Sequence, residues 1–427
     1  MKAAIVITRS NEYRLYAPVI EAALARGWNV ECWHDYNQVQ SGVKGYQFPS
    51  IESVPSFRNG APVIRTFQGP EEIGSWLRNL RADVVIAART AALTNPLPAP
   101  RPLLVCQQYF IDSLCWDGPD SLLGWDLLAL YSQWWLRWAT EYFVLKGLIA
   151  ERECDAYFRK AETQATYVGL PEIDEGPLID PDEVRHRWGI PPRQPVVVLF
   201  PFPQGVGRQA FWPQNICAEP SRVKQVASVV AHRRFEYWPH VWHGWNDPNV
   251  VKALRRFCDR NGAYLLVKSR RKTRVPAYTK ALADRCVYDE SFYPATVLEA
   301  LRIASLSVSY YSNSVFESVA LGVPHLCVTF TAEDYNGANA NYFSRFYTPE
   351  EGSAFQFRGV STAWSIPEAL HHLPTKVLGD FAMDSESRVR YIHKFLTHDD
   401  RDGGVRTVDA IEQALNRAGR KTEGASA

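Results

Sequence analysis

"SLSVSYYSNSVFESVALGVPHLCVTF", Ser305 to Phe330, is the stretch on which the fold turns. Its first six residues, Ser305 to Tyr310, and its last six, His325 to Phe330, read as short buried strands, and the segment between carries the punctuation of a helix. Ser314 with Glu317 three residues later makes a capping box, while Gly322 and Pro324 supply the stop. The run Tyr311, Ser312, Asn313, Ser314 is more than a helix start needs. It lies at the carboxyl end of a strand and the amino end of a helix, where unpaired backbone N–H groups favour an anion. Ligands of open α/β sheets collect at that same edge. A diphosphate suits the cluster, and Glu317, one turn in, suits ribose hydroxyls. Helix capping alone also accounts for Ser314 and Glu317.

The same alternation extends outward in both directions. "AAIVIT" (Ala3 to Thr8), "NVECWH", "DVVIAA", "PLLVCQQ" and "LLALYS" read as buried strands, separated by helical segments such as "PEEIGSWLRNL" (Pro70 to Leu80). The alternation pauses at "YVGLPEIDEGPLIDPDEV" (Tyr167 to Val184), rich in proline, glycine and acid, then restarts with "PVVVLF" (Pro195 to Phe200), a helix ending at Gly262, and "AYLLVK". Strands alternating with helices predict parallel sheets covered on both faces. The expected fold class is therefore α/β, with two Rossmann-like domains. Residues 1–166 form the first, 167–184 a linker, 185–383 the second, 384–418 a helical segment and 419–427 a frayed tail.

At 427 residues the chain exceeds one hydrophobic core, which also argues for two domains. Its 47 basic and 46 acidic residues give no global field for nucleic acid, so electrostatic partners must be met locally. Eight cysteines without a CxxC pair suit buried thiols in a reducing cytoplasm. No charge-free apolar run is long enough to cross a bilayer, and a cytoplasmic protein is expected. "WDLLALYSQWWLRWATEYF" (Trp125 to Phe143) is broken by Asp126, Arg137 and Glu141. It is expected to pack as a strand and a helix, with one aromatic face as the alternative contact for the inner membrane surface or a lipid-linked substrate.

A basic run follows the strand "AYLLVK": Lys268, Arg270, Arg271, Lys272 and Arg274. Residues leaving a strand diverge alternately, so Lys268 and Arg270 are the favoured phosphate partners. Tyr293 and Pro294 precede the next helix, leaving a loop whose backbone could read the edge of a base; an ordinary helix start with Pro294 near its first position accounts for the proline equally well. "HVWHGWND" offers His240 and His243, a pair with no third ligand of matching spacing; no metal site is expected, and His243 is a candidate for proton transfer beside its tryptophans.

The ordered series "YVGLPEID", "RHRWGIPPRQPVVVLFPFP", "LLVKSRRK" and "YPATVLEALRIASLSVSYYSNSVFESVALGVPHLCV" resembles the carboxyl-terminal half of GT-B nucleotide-sugar transferases, over roughly Ala165 to Phe330. The nearest groups are bacterial surface-polysaccharide transferases and CDP-glycerol glycerophosphotransferases. The resemblance implies two Rossmann-like domains with parallel sheets facing across a central cleft and a nucleotide donor held mainly by the second. Carried over by motif, Ser312, Asn313 and Ser314 would meet the donor phosphates, Glu317 the ribose or sugar, and Lys268 and Arg270 the leaving diphosphate. Glycerophosphotransferases tend to have an aspartate where this chain has Tyr310 and Tyr311, whereas "ESVALGVP" looks more like sugar transferases or UDP-GlcNAc 2-epimerases.

"TRSNEYRLYAPVI" (Thr8 to Ile20) is similar to the T-R-P-E opening of those epimerases, with Arg9 and Glu12 in corresponding places, but the later E-A-G-L-R motif is replaced by "LLVCQQYFIDSLCW". A transferase needs a base or charge stabiliser on the acceptor side, and Glu12, Asp112 and His34 follow first-domain strands where such a group would sit. The resemblance thus implies a glycosyltransferase acting on a glycan, glycolipid or lipid-linked acceptor of the cell surface. Fixed cations and helix N–H groups aimed at a departing phosphate need no metal, so no cofactor is required and a divalent metal is optional, and the net charge argues against a nucleic-acid partner. A nucleotide-sugar epimerase, a glycerophosphotransferase and a non-catalytic binding module are the rivals.

Overall fold

In the computed structural model, residues 1–8, 10–35, 54–68, 70–88, 101–201, 222–231, 233, 247–270, 275, 277–329 and 346–424 are described. Two sheets account for the strands. The first holds β1 (Lys2–Ile7), β2 (Asn29–Asp35), β3 (Val63–Phe67), β4 (Val84–Ala87), β5 (Leu103–Gln107), β6 (Leu127–Leu130) and β7 (Ala165–Tyr167), in the order β3-β2-β1-β4-β5-β6-β7. The second holds β8 (Val196–Phe200), β9 (Tyr264–Lys268), β10 (Arg285–Val287), β11 (Leu306–Ser309), β12 (His325–Thr329) and β13 (Ser361–Ser365), in the order β10-β9-β8-β11-β12-β13.

Neighbouring strands pair parallel throughout. Parallel sheets bury both faces, which is why β4 and β8 read as continuous apolar runs and are buried along their whole length. In each sheet the order runs outward from a central pair, β1 and β4 in the first and β8 and β11 in the second. That reversal is the doubly wound pattern and creates a switch point at the carboxyl edge. The two Rossmann-like domains expected from the alternation are present.

The units do not follow the expected boundaries. One comprises Met1–Pro177, Ser291–Ala295 and Ile392–Ala427, the other Leu178–Glu290 and Thr296–Tyr391. The division at Pro177 falls within the expected linker 167–184, but that segment is structured, with 3-10 turns Pro171–Ile173 and Gly176–Leu178 and the helix Pro181–Arg187. Proline, glycine and acid here mark tight turns: Leu170 and Ile173 are buried, and Glu172 pairs with Arg14 at 2.6 Å. The C-terminal segment belongs largely to the first unit, and helix Gly403–Gly424 continues through residues 419–424 of the expected tail.

That helix packs against helix Tyr13–Ala25 through a close backbone approach. Asp174 accepts the N–H groups of Gly403 and Gly404 at 3.2 and 2.8 Å and so caps the start. A Cβ on Gly404 would lie 2.4 Å from the Pro18 carbonyl oxygen. Gly404→Ala should therefore lower stability by about 2–3 kcal/mol in chemical denaturation, although alanine normally strengthens a helix interior by up to about 1 kcal/mol.

The aromatic segment divides between two environments. Trp125, Trp135 and Phe143 are buried, and Trp135 Nε1 donates to the Phe395 carbonyl at 2.8 Å. Trp134, Trp138 and Tyr142, on the other side of helix Gln133–Leu145, are only partly covered. Seven cysteines fall among the described residues, all free.

Candidate functional site

The carboxyl edge of the second sheet gathers most of the residues singled out for a phosphate. β9 ends at Lys268 and β11 at Ser309, with β8 between them. Two strand spacings, roughly 10 Å, therefore separate the basic strand end from the start of the serine cluster. Both chains leave the same edge of the same sheet because all three strands are parallel.

Beyond Ser309 the chain turns sharply. Tyr310 and Tyr311 are buried, and Tyr311 has φ of 30°, a left-handed conformation that costs an aromatic residue on the order of 1–2 kcal/mol. Its ring stands edge-on to Phe355 with centroids 4.9 Å apart, and its N–H reaches Cys327 Sγ at 3.4 Å. These contacts hold the corner. Ser312 Oγ then accepts the N–H of Ser314 at 3.2 Å, and the N–H groups of Val315 and Phe316 bond back three residues, to Ser312 and Asn313 carbonyls.

The capping box expected at Ser314 and Glu317 is absent. Asn313 already has helical angles (φ −59°, ψ −14°), so Ser314 lies inside the first turn of helix Ser314–Ala320, where its hydroxyl cannot cap. That hydroxyl is buried without a hydrogen-bond partner. Ser312 does the capping instead. Glu317 is 2% exposed. The accessible members of the cluster are thus Ser312 and Asn313, both half-buried, and Arg270, which is exposed.

Lys268 is 5% exposed, and its ammonium pairs with Asp289, just beyond β10. Its charge reaches the edge already matched by a carboxylate. Arg271, Lys272 and Arg274 lie outside the described residues, as do His240, His243 and Arg9.

Beneath the corner runs a polar layer that periodicity did not reveal. His325, at the start of β12, has Nδ1 2.7 Å from Ser307 Oγ and Nε2 3.0 Å from Ser309 Oγ. Ser307 Oγ reaches Ser318 Oγ at 2.9 Å, and Ser318 Oγ donates to the Ser314 carbonyl at 2.6 Å. Burial pushes the His325 pKa down to about 3, so the ring is neutral and the chain carries no charge. The signal was present as alternating serines in "SLSVS", polar positions in a strand that ought to be apolar throughout. At the far end of the helix, Arg388 donates to the carbonyls of Val319 and Ala320 at 2.9 and 2.7 Å. Both ends of this short helix are held.

Tyr293 is held within the first unit. Its loop, Ser291–Ala295, clusters with the first unit. The hydroxyl donates to Glu175 Oε1 at 2.7 Å and accepts from Arg58 at 3.3 Å, and the ring lies 5.5 Å from that of Phe57. A tyrosine held on both its ring and its hydroxyl serves as an anchor for its loop.

In the first unit the candidates sit past different strands. Glu12 is 4% exposed, and its carboxylate accepts the Thr8 N–H at 2.7 Å and the Thr8 hydroxyl at 2.6 Å, which locks the turn after β1. His34, near the end of β2, shares a 2.7 Å hydrogen bond between its Nε2 and the Tyr13 hydroxyl; burial lowers its pKa to about 4, leaving it neutral. Asp112, beyond β5, is buried, and its pKa is raised to about 6 by loss of solvent, partly offset by a hydrogen bond with Trp116. β2 and β5 are three strand positions apart, so His34 and Asp112 are not neighbours. Asn11, absent from the sequence-derived set, bridges the turn after β1 to the Tyr109 hydroxyl beyond β5. Among the described residues no group of histidine, cysteine and carboxylate side chains could hold a metal ion.

No protein-family model and no curated protein sequence matches the chain. Solved structures do. A Listeria monocytogenes protein assigned as a UDP-N-acetylglucosamine 2-epimerase superposes with a TM-score of 0.55 at 12% identity, covering 97% of each chain. The wall teichoic acid polymerase TagF gives 0.54 at 12% identity, over 98% of this chain and 89% of that one. S. aureus MnaA with UDP gives 0.51 at 12% identity, covering 97% of each. Together with the two doubly wound sheets, these likenesses show that the chain has the GT-B fold.

Asp112 yields a pH prediction. Burial raises its carboxyl in the folded protein from the ordinary 3.8 to about 6, so the folded state favours the protonated form. Its contribution to stability is full below about pH 4 and is lost as pH rises through 6. Asp112→Asn should therefore gain on the order of 2–3 kcal/mol relative to wild type between pH 4 and pH 8, read as a melting-temperature difference that becomes more positive with pH.

Proposed function

We propose that the protein is a nucleotide-sugar-dependent glycosyltransferase, moving a sugar to a cell-surface polysaccharide, glycolipid or lipid-linked precursor. The observation that carries this is the switch point of the second sheet, where the strand order reverses between β8 and β11 and where Ser312, Asn313 and the basic end of β9 emerge together. The donor diphosphate is met by Ser312, Asn313 and the exposed Arg270, with Ser314 in the first turn. Lys268 acts from below, with Asp289 holding its ammonium in place. Fixed donors and cations aimed at a departing diphosphate stabilise its charge as it develops, so no cofactor is required and a divalent metal is optional.

On the acceptor side Asp112 is the preferred base. Its pKa of about 6 leaves it ionised at neutral pH yet basic enough to accept a proton, whereas the Glu12 carboxylate is occupied by Thr8 and His34 is a weak base. Glu317, which the resemblance assigns to ribose, is buried at the helix start.

Two readings compete. MnaA is known with UDP, and TagF is a wall teichoic acid polymerase. Epimerisation of the donor and transfer of a glycerophosphate unit are therefore the rivals, and donor incubated without acceptor separates the first of them. Intact donor supports transfer, and isomerised donor supports an epimerase. In a thermal-shift panel of CDP, CMP, UDP, GDP and dTDP, one nucleotide should raise the melting temperature. Ser312→Ala with Arg270→Ala should weaken that ligand by at least about tenfold, the loss of one or two charge-assisted hydrogen bonds, at a stability cost to the free protein of about 1 kcal/mol from the lost Ser312 cap. Unchanged affinity removes the phosphate assignment. Glu317→Gln should also weaken binding; a collapse in stability at unchanged affinity makes Glu317 purely structural.

A further inference from the structure

The partly covered side of helix Gln133–Leu145 presents Trp134, Trp138 and Tyr142 in successive turns. The two indoles are stacked, with centroids 5.1 Å apart. The Lys394 ammonium lies 3.9 Å from the centre of the Trp134 ring, and that of Lys146 lies 5.9 Å from Tyr142. At the end of this ridge the chain turns through Gly147, and Leu145 and Leu148 protrude, 52% and 54% exposed. Isolated exposed leucines are ordinary; two on one turn, continuous with an aromatic ridge, are a patch.

We propose that this ridge and its leucine turn dock on the surface of a lipid bilayer. The chemistry is graded as the interface requires: leucines at the tip for the acyl boundary, aromatic rings with polar edges at headgroup depth, and lysines that can extend their ammonium groups to phosphate. A protein partner fits less well, since interface cores are depleted in lysine. Glu141 and Asp155 are paired with Arg137 at 3.2 and 2.7 Å, and past the leucine turn the exposed Glu151 and Glu153 flank the exposed Arg152, while Lys146 and Lys394 stand over the rings and supply the contact with an anionic surface. From Trp134 to Leu145 the ridge runs roughly 16 Å, suited to lying on a membrane and well short of the ~30 Å a span needs. No helix among the described residues is long and apolar enough to cross one.

This surface is independent of the nucleotide site, so its test uses no donor. The full chain is co-sedimented with vesicles of phosphatidylcholine alone and of equimolar phosphatidylcholine and phosphatidylglycerol. Wild type should partition onto both, more strongly onto the anionic vesicles, with tryptophan emission shifted to the blue and quenched by brominated lipid. Replacing Leu145→Glu and Leu148→Glu together should cut partitioning at least about tenfold. Because both side chains are more than half exposed, the melting temperature should not fall. Wild type that binds neither vesicle overturns the proposal, as does a double variant that binds like wild type. So does a wild-type dimer in solution that the double variant dissociates, since the patch would then be covered by a second copy.

Discussion

The parallel pairing of β11 with β8 on one side and β12 on the other fixes where the candidate site can be. It places the strand end at the reversal of strand order, points the following turn out of the carboxyl edge, and sets Ser307 opposite His325 so that their side chains can bond within the sheet. The buried hydroxyls and the neutral ring satisfy one another, so this polar layer avoids the cost of unpaired groups in an apolar interior. The strained Tyr311 and the helix that follows are held from beneath by that layer and from the far end by Arg388. A rigid corner is what a phosphate site requires, because donors that need not reorganise stabilise charge most effectively.

Much of the fold was legible because parallel sheets impose a simple code. Continuous apolar runs such as "PVVVLF" and "DVVIAA" could hardly be anything but doubly covered strands, and Pro70 to Leu80 reads as the helix that forms. The boundaries were harder. Composition marks turns, but whether a turn-rich segment is a linker depends on what its few apolar residues meet, and Leu170 and Ile173 meet a core. The return of Ile392–Ala427 to the first unit is a long-range contact, dependent on Gly403 and Gly404 approaching Pro171 and Pro18, and local pattern does not report it.

The site was legible by residue type more than by role. Serines, an asparagine and basic residues do follow strand ends at the carboxyl edge of the second sheet, yet which of them face solvent depends on packing. Ser314 lost its capping place because helical angles begin one residue earlier, at Asn313. The charge of Lys268 is matched by Asp289, a partner supplied by the neighbouring strand end and invisible in the linear run of lysines and arginines. Tyr293 went to the other unit because Arg58 and Glu175 together hold its hydroxyl.

The central claim is that the carboxyl edge of the second sheet cradles a nucleoside diphosphate. A crystal structure of the protein with the nucleotide that stabilises it most tests this directly. The pyrophosphate should lie within hydrogen-bond reach of Ser312 and Asn313, on the side where Lys268 and Arg270 leave β9. A nucleotide seated at the opposite edge of that sheet, or bound only within the first unit, would contradict the account.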